Sequence, residues 1–361
     1  MRFFFEKSEH FPDFLVIFYV GKKSERIPNM DIKKIIKNAP TCNTRPFDSV
    51  HFSGESAVVT DTNLWVKFPN PFKELRGQVP VKSFNKISGK YPNVSFNGSE
   101  VVFTDEDGAS LSLAPDTNEK ALLEDVPGKD FVPEGIIEFS LAEFRKAESF
   151  TKGCVGNEER KYLHGFFLDT ENNAIVTTDG RKLAHFDMNL KSDSKKGVIL
   201  PKSVSDFLLA ISVKEDEDQV VVRFDSNQVS TLYAGIEIKY DNIGTFPNWK
   251  QVVPNTFENE VLIQNTNKLQ KSVKKLASLM GKDVETVVKF DCENNTLSLS
   301  VENDSFVKEW GKFSASFPAK IKHTDVEIPN TYFTGVFLPD VIIMDCMRIK
   351  FGKSALGPVV F

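Results

Sequence analysis

Few runs in this 361-residue chain could do chemistry. Gly352-Lys353-Ser354 ends like a phosphate-binding loop. However, Met347 stands where the first glycine of G-x-x-x-x-G-K-[ST] belongs, and the residues after Ser354 read as strand, so that reading is rejected. Asp105-Glu106-Asp107-Gly108 offers carboxylates but lacks the ligand series of a calcium loop, and reads as a hairpin turn. The five histidines, at 10, 51, 164, 185 and 323, form no HExxH or other ligand pair. Cys42, Cys154, Cys292 and Cys346 lie far apart with no CxxC pair, which fits reduced thiols in a cytosolic protein better than a disulfide frame or a zinc site. Glu215 to Asp218 is an acidic solvated turn. No Ser, Cys or His stands in a nucleophile motif. A hydrolase reading therefore has no support, and no catalysis, metal or cofactor is expected.

The chemistry that remains is basic charge on helices. Residues 31–38 hold three Lys and one Asp, and 81–90 hold three Lys. Residues 141–149 hold one Arg, one Lys and two Glu, 201–211 one Lys and one Asp, and 266–279 four Lys. The whole chain has 45 basic residues against 50 acidic. Positive charge is thus gathered on helices while strands and loops are acidic. Lys is a good helix former, so a solvated face is the plain reading of any one helix. If the helices share one side of a continuous sheet, their faces add to a surface that contacts phosphates without reading bases.

The elements that would position those helices recur. Composition is that of a globular protein, 40% apolar and 26% charged, with 32 Phe among the core candidates. The length suits two or three domains. The first residues are too soon charged for a signal peptide, and no run approaches a membrane span. Helical spacing is read at 31–37, at 81–90, from the Ser140-Leu141-Ala142-Glu143 capping box to Phe150, at 202–211 and at 266–280, with a weaker helix at Thr331–Leu338. Antiparallel strands come after each one. Val79-Pro80, Leu200-Pro201 and Ile328-Pro329 mark the entry to alternate helices, with proline expected in the first helical turn. The unit repeats six times, with a period near 60 residues and a superperiod near 120. The fold class is α+β, in three domains of two units each: 1–132, 133–254 and 255–361.

The central hairpin, Val176-Thr177-Thr178-Asp179-Gly180-Arg181-Lys182-Leu183-Ala184, is the landmark of this pattern. Together with Tyr162-Leu163-His164-Gly165-Phe166, Ile199-Leu200-Pro201-Lys202 and Thr245-Phe246-Pro247-Asn248-Trp249-Lys250-Gln251-Val252-Val253-Pro254, it resembles the bacterial DNA polymerase III beta subunit, the sliding clamp family. The resemblance runs over essentially the full length at low identity. It implies a head-to-tail homodimeric ring with helices inside and sheet outside, encircling double-stranded DNA in the cytoplasm during DNA replication. Such a processivity factor holds the replicative polymerase, and a clamp loader is a further implied partner.

Carried over residue by residue, the resemblance implies a peptide-binding cleft between the second and third domains. It comprises Leu163, Thr178, Gly180, Arg181, Lys182, Leu183, Pro247, Gln251 and Val252, with Gly357, Pro358, Val359, Val360 and Phe361 from the C-terminal strand. DNA contacts would come from Arg160, Lys161 and Tyr162, and from Lys33, Lys34, Lys37, Lys82, Lys86, Lys202, Lys268, Lys271 and Lys275. Two departures stand out. Gln251 replaces a common Arg, and the chain ends Gly357-Pro358-Val359-Val360-Phe361 instead of a Met-Pro-Met-Arg-Leu type tail. The divergence and the Lys- and Asn-rich composition point to a phage or a divergent bacterium. The alternative from another class is a repeat-built protein-interaction scaffold that binds no DNA.

Overall fold

Short amphipathic helices alternate with period-two apolar runs, and the chain folds accordingly. The computed structural model describes residues 31–117, 131–180, 183–211 and 219–251, together with residues 308, 311 and 312 and the backbone of seven strands beyond residue 251. Helix α1 (Ile32–Asn38) begins at Asp31, whose carboxylate accepts from the Lys33 N–H at 3.0 Å. It buries Ile32, Ile35 and Ile36, and stops with Ala39 extended ahead of Pro40. Helix α2 (Val81–Ser88) buries Val81 and Phe84. Helix α3 (Leu141–Thr151) opens at the Ser140 cap and buries Leu141, Phe144 and Ala147. Helix α4 (Lys202–Ile211) buries Val204, Phe207, Leu208 and Ile211. Each such Leu, Ile or Phe contributes about 1.5–3 kcal/mol by leaving water.

The helices separate groups of antiparallel strands. The first group is β1 (Ser49–Ser53), β2 (Ser56–Thr60) and β3 (Leu64–Pro69), then β4 (Arg76–Pro80) leading into α2. After α2 come β5 (Asn93–Phe96), β6 (Val101–Thr104) and β7 (Ser110–Leu113), which form a three-stranded sheet. β8 (Gly135–Ser140) leads into α3, followed by β9 (Gly165–Asp169), β10 (Ala174–Thr178), β11 (Leu183–Asp187) and the short β12 (Lys191–Ser192). β13 (Val198–Pro201) leads into α4, followed by β14 (Gln219–Phe224), β15 (Gln228–Tyr233) and β16 (Ile236–Asp241).

Strand pairing crosses between these units. β8 pairs with β14, setting Ile137 opposite Val222, and β13 pairs with β9, setting Leu200 opposite Phe166. Each unit of the pair thus lends its entering strand to the other. The β9–β13 approach needs glycine, because a Cβ on Gly165 would stand 2.5 Å from the Leu200 carbonyl oxygen. β16 pairs with β3, with Ile238 opposite Val66 and Tyr240 opposite Leu64. That seam makes one nine-stranded sheet, in the order β12-β8-β14-β15-β16-β3-β2-β1-β4, from residues of the first two expected domains. α1 packs on both α2 and α4, so helices meet across the same junction.

Beyond residue 251 the strands are β17 (Asn259–Ile263), β18 (Val287–Glu293), β19 (Thr296–Val301), β20 (Ser314–His323), β21 (Phe333–Val336), β22 (Arg348–Ser354) and β23 (Gly357–Val360). They form a seven-stranded sheet in the order β21-β18-β19-β20-β17-β22-β23.

Three expectations need correction or qualification. The weak helix at Thr331–Leu338 is replaced by strand β21, which pairs with Val287–Phe290. Phe333 and Thr334 are aromatic and β-branched, and they lie opposite Phe290 and Lys289 on a strand that accepts them. Pro80 sits at the N-cap of α2 and Pro201 ends β13, one position before the first helical turn; each closes a strand pairing, with Ser49 and Gly165 respectively. β20 is absent from the strands read in the sequence, and it contains Pro318. The strand changes partner there, with Pro318 opposite Thr296 on β19 and Ala319 opposite Ile263 on β17. A residue without an N–H is tolerated at such a break. The helix expected at 266–280 and the strand at 341–344 lie outside the described residues. Among the described residues no helix is long and apolar enough to cross a membrane.

Candidate partner cleft and nucleic-acid face

The β9–β10–β11 hairpins build the candidate cleft. Alternate residues of β10 face opposite ways. The Thr177 hydroxyl donates to the Thr151 carbonyl at the end of α3 at 2.7 Å, whereas Ala174 and Val176 enter an apolar cluster with Leu163, Ile199 and Phe246. Leu163 is 3% exposed. A single 3-10 turn, Lys161–Leu163, delivers it; its N–H donates to the Arg160 carbonyl at 2.8 Å, and its carbonyl accepts from the Gly156 N–H at 2.9 Å. Phe167, Leu183, Ile243 and Trp249 pack on this cluster while only half-buried, so they form its open side.

The hairpin turn closes one end. Thr178 lies opposite Leu183 across the β10–β11 ladder. The buried Thr178 hydroxyl accepts from the Gly180 N–H at 3.1 Å, and Gly180 takes φ +89°, a conformation costly for a side chain with a Cβ. An Arg160 guanidinium nitrogen lies 3.1 Å from where a Gly180 Cβ would stand. The resemblance puts Arg160 on DNA, yet its side chain reaches the expected cleft.

The other side is the segment after β16. Phe246 stacks on Phe167 with centroids 4.7 Å apart and planes 1° from parallel. The Trp249 indole N–H donates to the buried Asp169 carboxylate at 2.8 Å, and the His185 ring stacks on the indole at 5.4 Å. Pro247 and Gln251 are exposed on the same segment. Leu163, Thr178, Gly180, Leu183 and the 246–251 segment therefore come together around one cluster. Arg181, Lys182, Val252 and Phe361 lie outside the described residues. Gly357, Pro358, Val359 and Val360 form β23, in register with Ser354, Lys353, Gly352 and Phe351 of β22.

Sequence reasoning misses Phe246, Trp249, Asp169 and His185 as site residues. The aromatic pair Phe246 and Trp249, three residues apart in an otherwise polar segment, is the signal that could have found two of them.

The expected DNA-contact lysines are not equivalent. Lys34, Lys37, Lys82 and Lys86 are exposed on α1 and α2, neither of which contains an acidic residue. Lys33 donates from Nζ to the Pro92 carbonyl at 2.8 Å. Lys202 is ion-paired with Asp206 one turn along α4. Arg160, Lys161 and Tyr162 are exposed. Lys268, Lys271 and Lys275 lie outside the described residues. Among the described residues no group of three or more His, Cys, Asp or Glu is placed to hold a metal ion.

No family model and no curated protein matches the chain. Solved structures do. The DNA polymerase sliding clamp of Pseudomonas aeruginosa with ligand superposes with a TM-score of 0.67 at 16% identity, covering 91% of this chain and 93% of that one. The fold is that of the DNA polymerase III β-subunit sliding clamps. The Thermotoga maritima β subunit matches with a TM-score of 0.64 at 20% identity over 88% of each chain. A clamp from Bartonella birtlesii bound to griselimycin matches with a TM-score of 0.65 at 20% identity, over 91% of this chain and 93% of that one. In this fold the β3–β16 seam joins the sheet of β1–β4 to that of β8 and β14–β16, and α1 meets α4 beside it.

Proposed function

We propose that the chain is a DNA sliding clamp, a non-enzymatic tether that encircles duplex DNA and holds a replicative polymerase for processive synthesis. Two copies, head to tail, would close a ring of six domains, three per chain. The polymerase and the clamp loader would dock by peptide segments in the cleft between the second and third domains. The supporting observation is the sheet that runs unbroken across β3–β16 while α1 packs on α4 beside it. A wall of sheet backed by helices, propagated from domain to domain, is what a closed ring requires, and closure leaves no exposed sheet edge at the subunit boundary. Lys34, Lys37, Lys82 and Lys86 supply charge for phosphates without the base-edge contacts that would arrest sliding.

The test is topological. Light scattering after size exclusion should give about twice 40.7 kDa. Protein loaded on circular DNA should stay bound and should run off once the circle is cut. A monomer, or equal loss from circular and linear DNA, would sink the reading.

A further inference from the structure

Beyond Asn242, the segment after β16 packs on the sheet through side chains rather than by a strand ladder. Asn242 ties its start, donating from its N–H to the Asn227 carbonyl at 2.7 Å and from its amide to the Asp225 carbonyl at 2.8 Å. From Ile243 to Trp249 its anchors on the sheet include Ile243 packed on the Leu163 cluster, the Phe246–Phe167 stack and the Trp249–Asp169 hydrogen bond. Asp169 is 6% exposed, and its oxygens also accept the Asn172 N–H at 3.1 Å and the Asn172 amide at 2.7 Å. A carboxylate this buried and this fully engaged is fixed, so it fixes the indole that bonds to it. His185 covers one face of that indole, and the rest of the ring joins Leu183 on the open side of the Leu163 cluster.

The geometry points to Trp249 as a specificity-determining wall of the partner cleft, and to Asp169 as the positioning residue that sets it. The inference rests on the cleft of the proposed clamp function. A half-buried tryptophan held rigid presents a large apolar surface at low entropic cost, which is the character of a binding hot spot. Without the Asp169 bond the indole would turn, and the 249–251 turn carrying Gln251 would move with it.

The probe is a fluorescein-labelled peptide with leucine and phenylalanine anchors on a Gly-Ser background, read by anisotropy on the full chain. Asp169→Ala should weaken it about tenfold, as expected for loss of a charged hydrogen bond. Trp249→Phe should weaken it similarly, and the double variant should be no worse than the weaker-binding single one, because both act through one contact. Asp169→Asn keeps an acceptor and should return to within about threefold of the wild type. Should Asp169→Ala not fold, Asp169→Asn and Trp249→Phe still decide. Trp249→Phe binding at wild-type affinity, Asp169→Ala lowering the melting temperature but leaving affinity unchanged, or Asp169→Asn binding as weakly as Trp249→Phe, would overturn the inference. If the unaltered chain does not bind the peptide at all, the cleft reading itself falls, and this inference with it.

Discussion

Ile238 on β16 lies directly opposite Val66 on β3, both with no exposed surface, although the two residues are more than a hundred and fifty positions apart in sequence and fall in different expected domains. The seam is therefore core, not a contact between finished domains. Truncating either residue to alanine should cost about 1–4 kcal/mol. The two losses should fall short of additive by about 0.5 kcal/mol or more, because the side chains touch across one ladder. Urea unfolding of the two single variants and the double one measures this; additive losses would mean that the two sides of the seam are energetically separate.

Leu183→Asp places a charge on the open side of the Leu163 cluster without touching the β3–β16 seam. It should abolish binding of the anchored peptide and leave the mass in solution unchanged. Loss of the oligomer as well would mean that Leu183 is only core. Gly180→Val should fold with a penalty of about 1–3 kcal/mol, because a β-branched residue is strained at φ +89°. It should also push the Arg160 guanidinium off the turn.

The lysines make a graded prediction. Replacing Lys34, Lys37, Lys82 and Lys86 by glutamine should lower the slope of log affinity against log salt by about 0.9 for each phosphate no longer neutralised. Lys202→Gln should change it little, since Asp206 already neutralises that ammonium. Asp206→Asn should raise affinity by freeing it. Equal slopes for the α1–α2 and Lys202 variants would contradict an α1–α2 phosphate face.

Tyr240 gives an alkaline signature. Burial in the seam pushes its phenol well above the usual range. The unfolded chain releases that proton near pH ~10, and the folded chain does not. Stability is therefore fully present below pH ~10 and falls above it, by up to about 1.4 kcal/mol per pH unit for this group. Tyr240→Phe should flatten that fall between about pH 10 and 11.5 in urea titrations. An unchanged slope would show that the phenol ionises in place.

Local rules made much of the fold legible. Helix α4 runs from Lys202 to Ile211, as the Val204, Phe207, Leu208 and Ile211 spacing dictates, and the Ser140 cap starts α3. The cleft is legible only in outline. Leu163 and Leu183 can be named from sequence, but the Trp249–Asp169 bond joins residues eighty positions apart and leaves no periodic trace. The Lys202–Asp206 pair is visible at i, i+4 spacing, yet a count of charge along the helix treats Lys202 as free. Thr331–Leu338 fails because its weak helical spacing competes with a neighbouring strand, and pairing wins.

The exchange of entering strands between units has a consequence for synthesis. β8 emerges from the ribosome long before β14, and β9 before β13, so neither sheet can be completed until most of residues 135–224 have been made. Leu64 waits longer still, for Tyr240. The nascent chain must therefore carry the unpaired edge of β3 until β16, residues 236–241, has been made. The order of translation, as much as the sequence of that strand, sets how long this edge stays open to wrong partners.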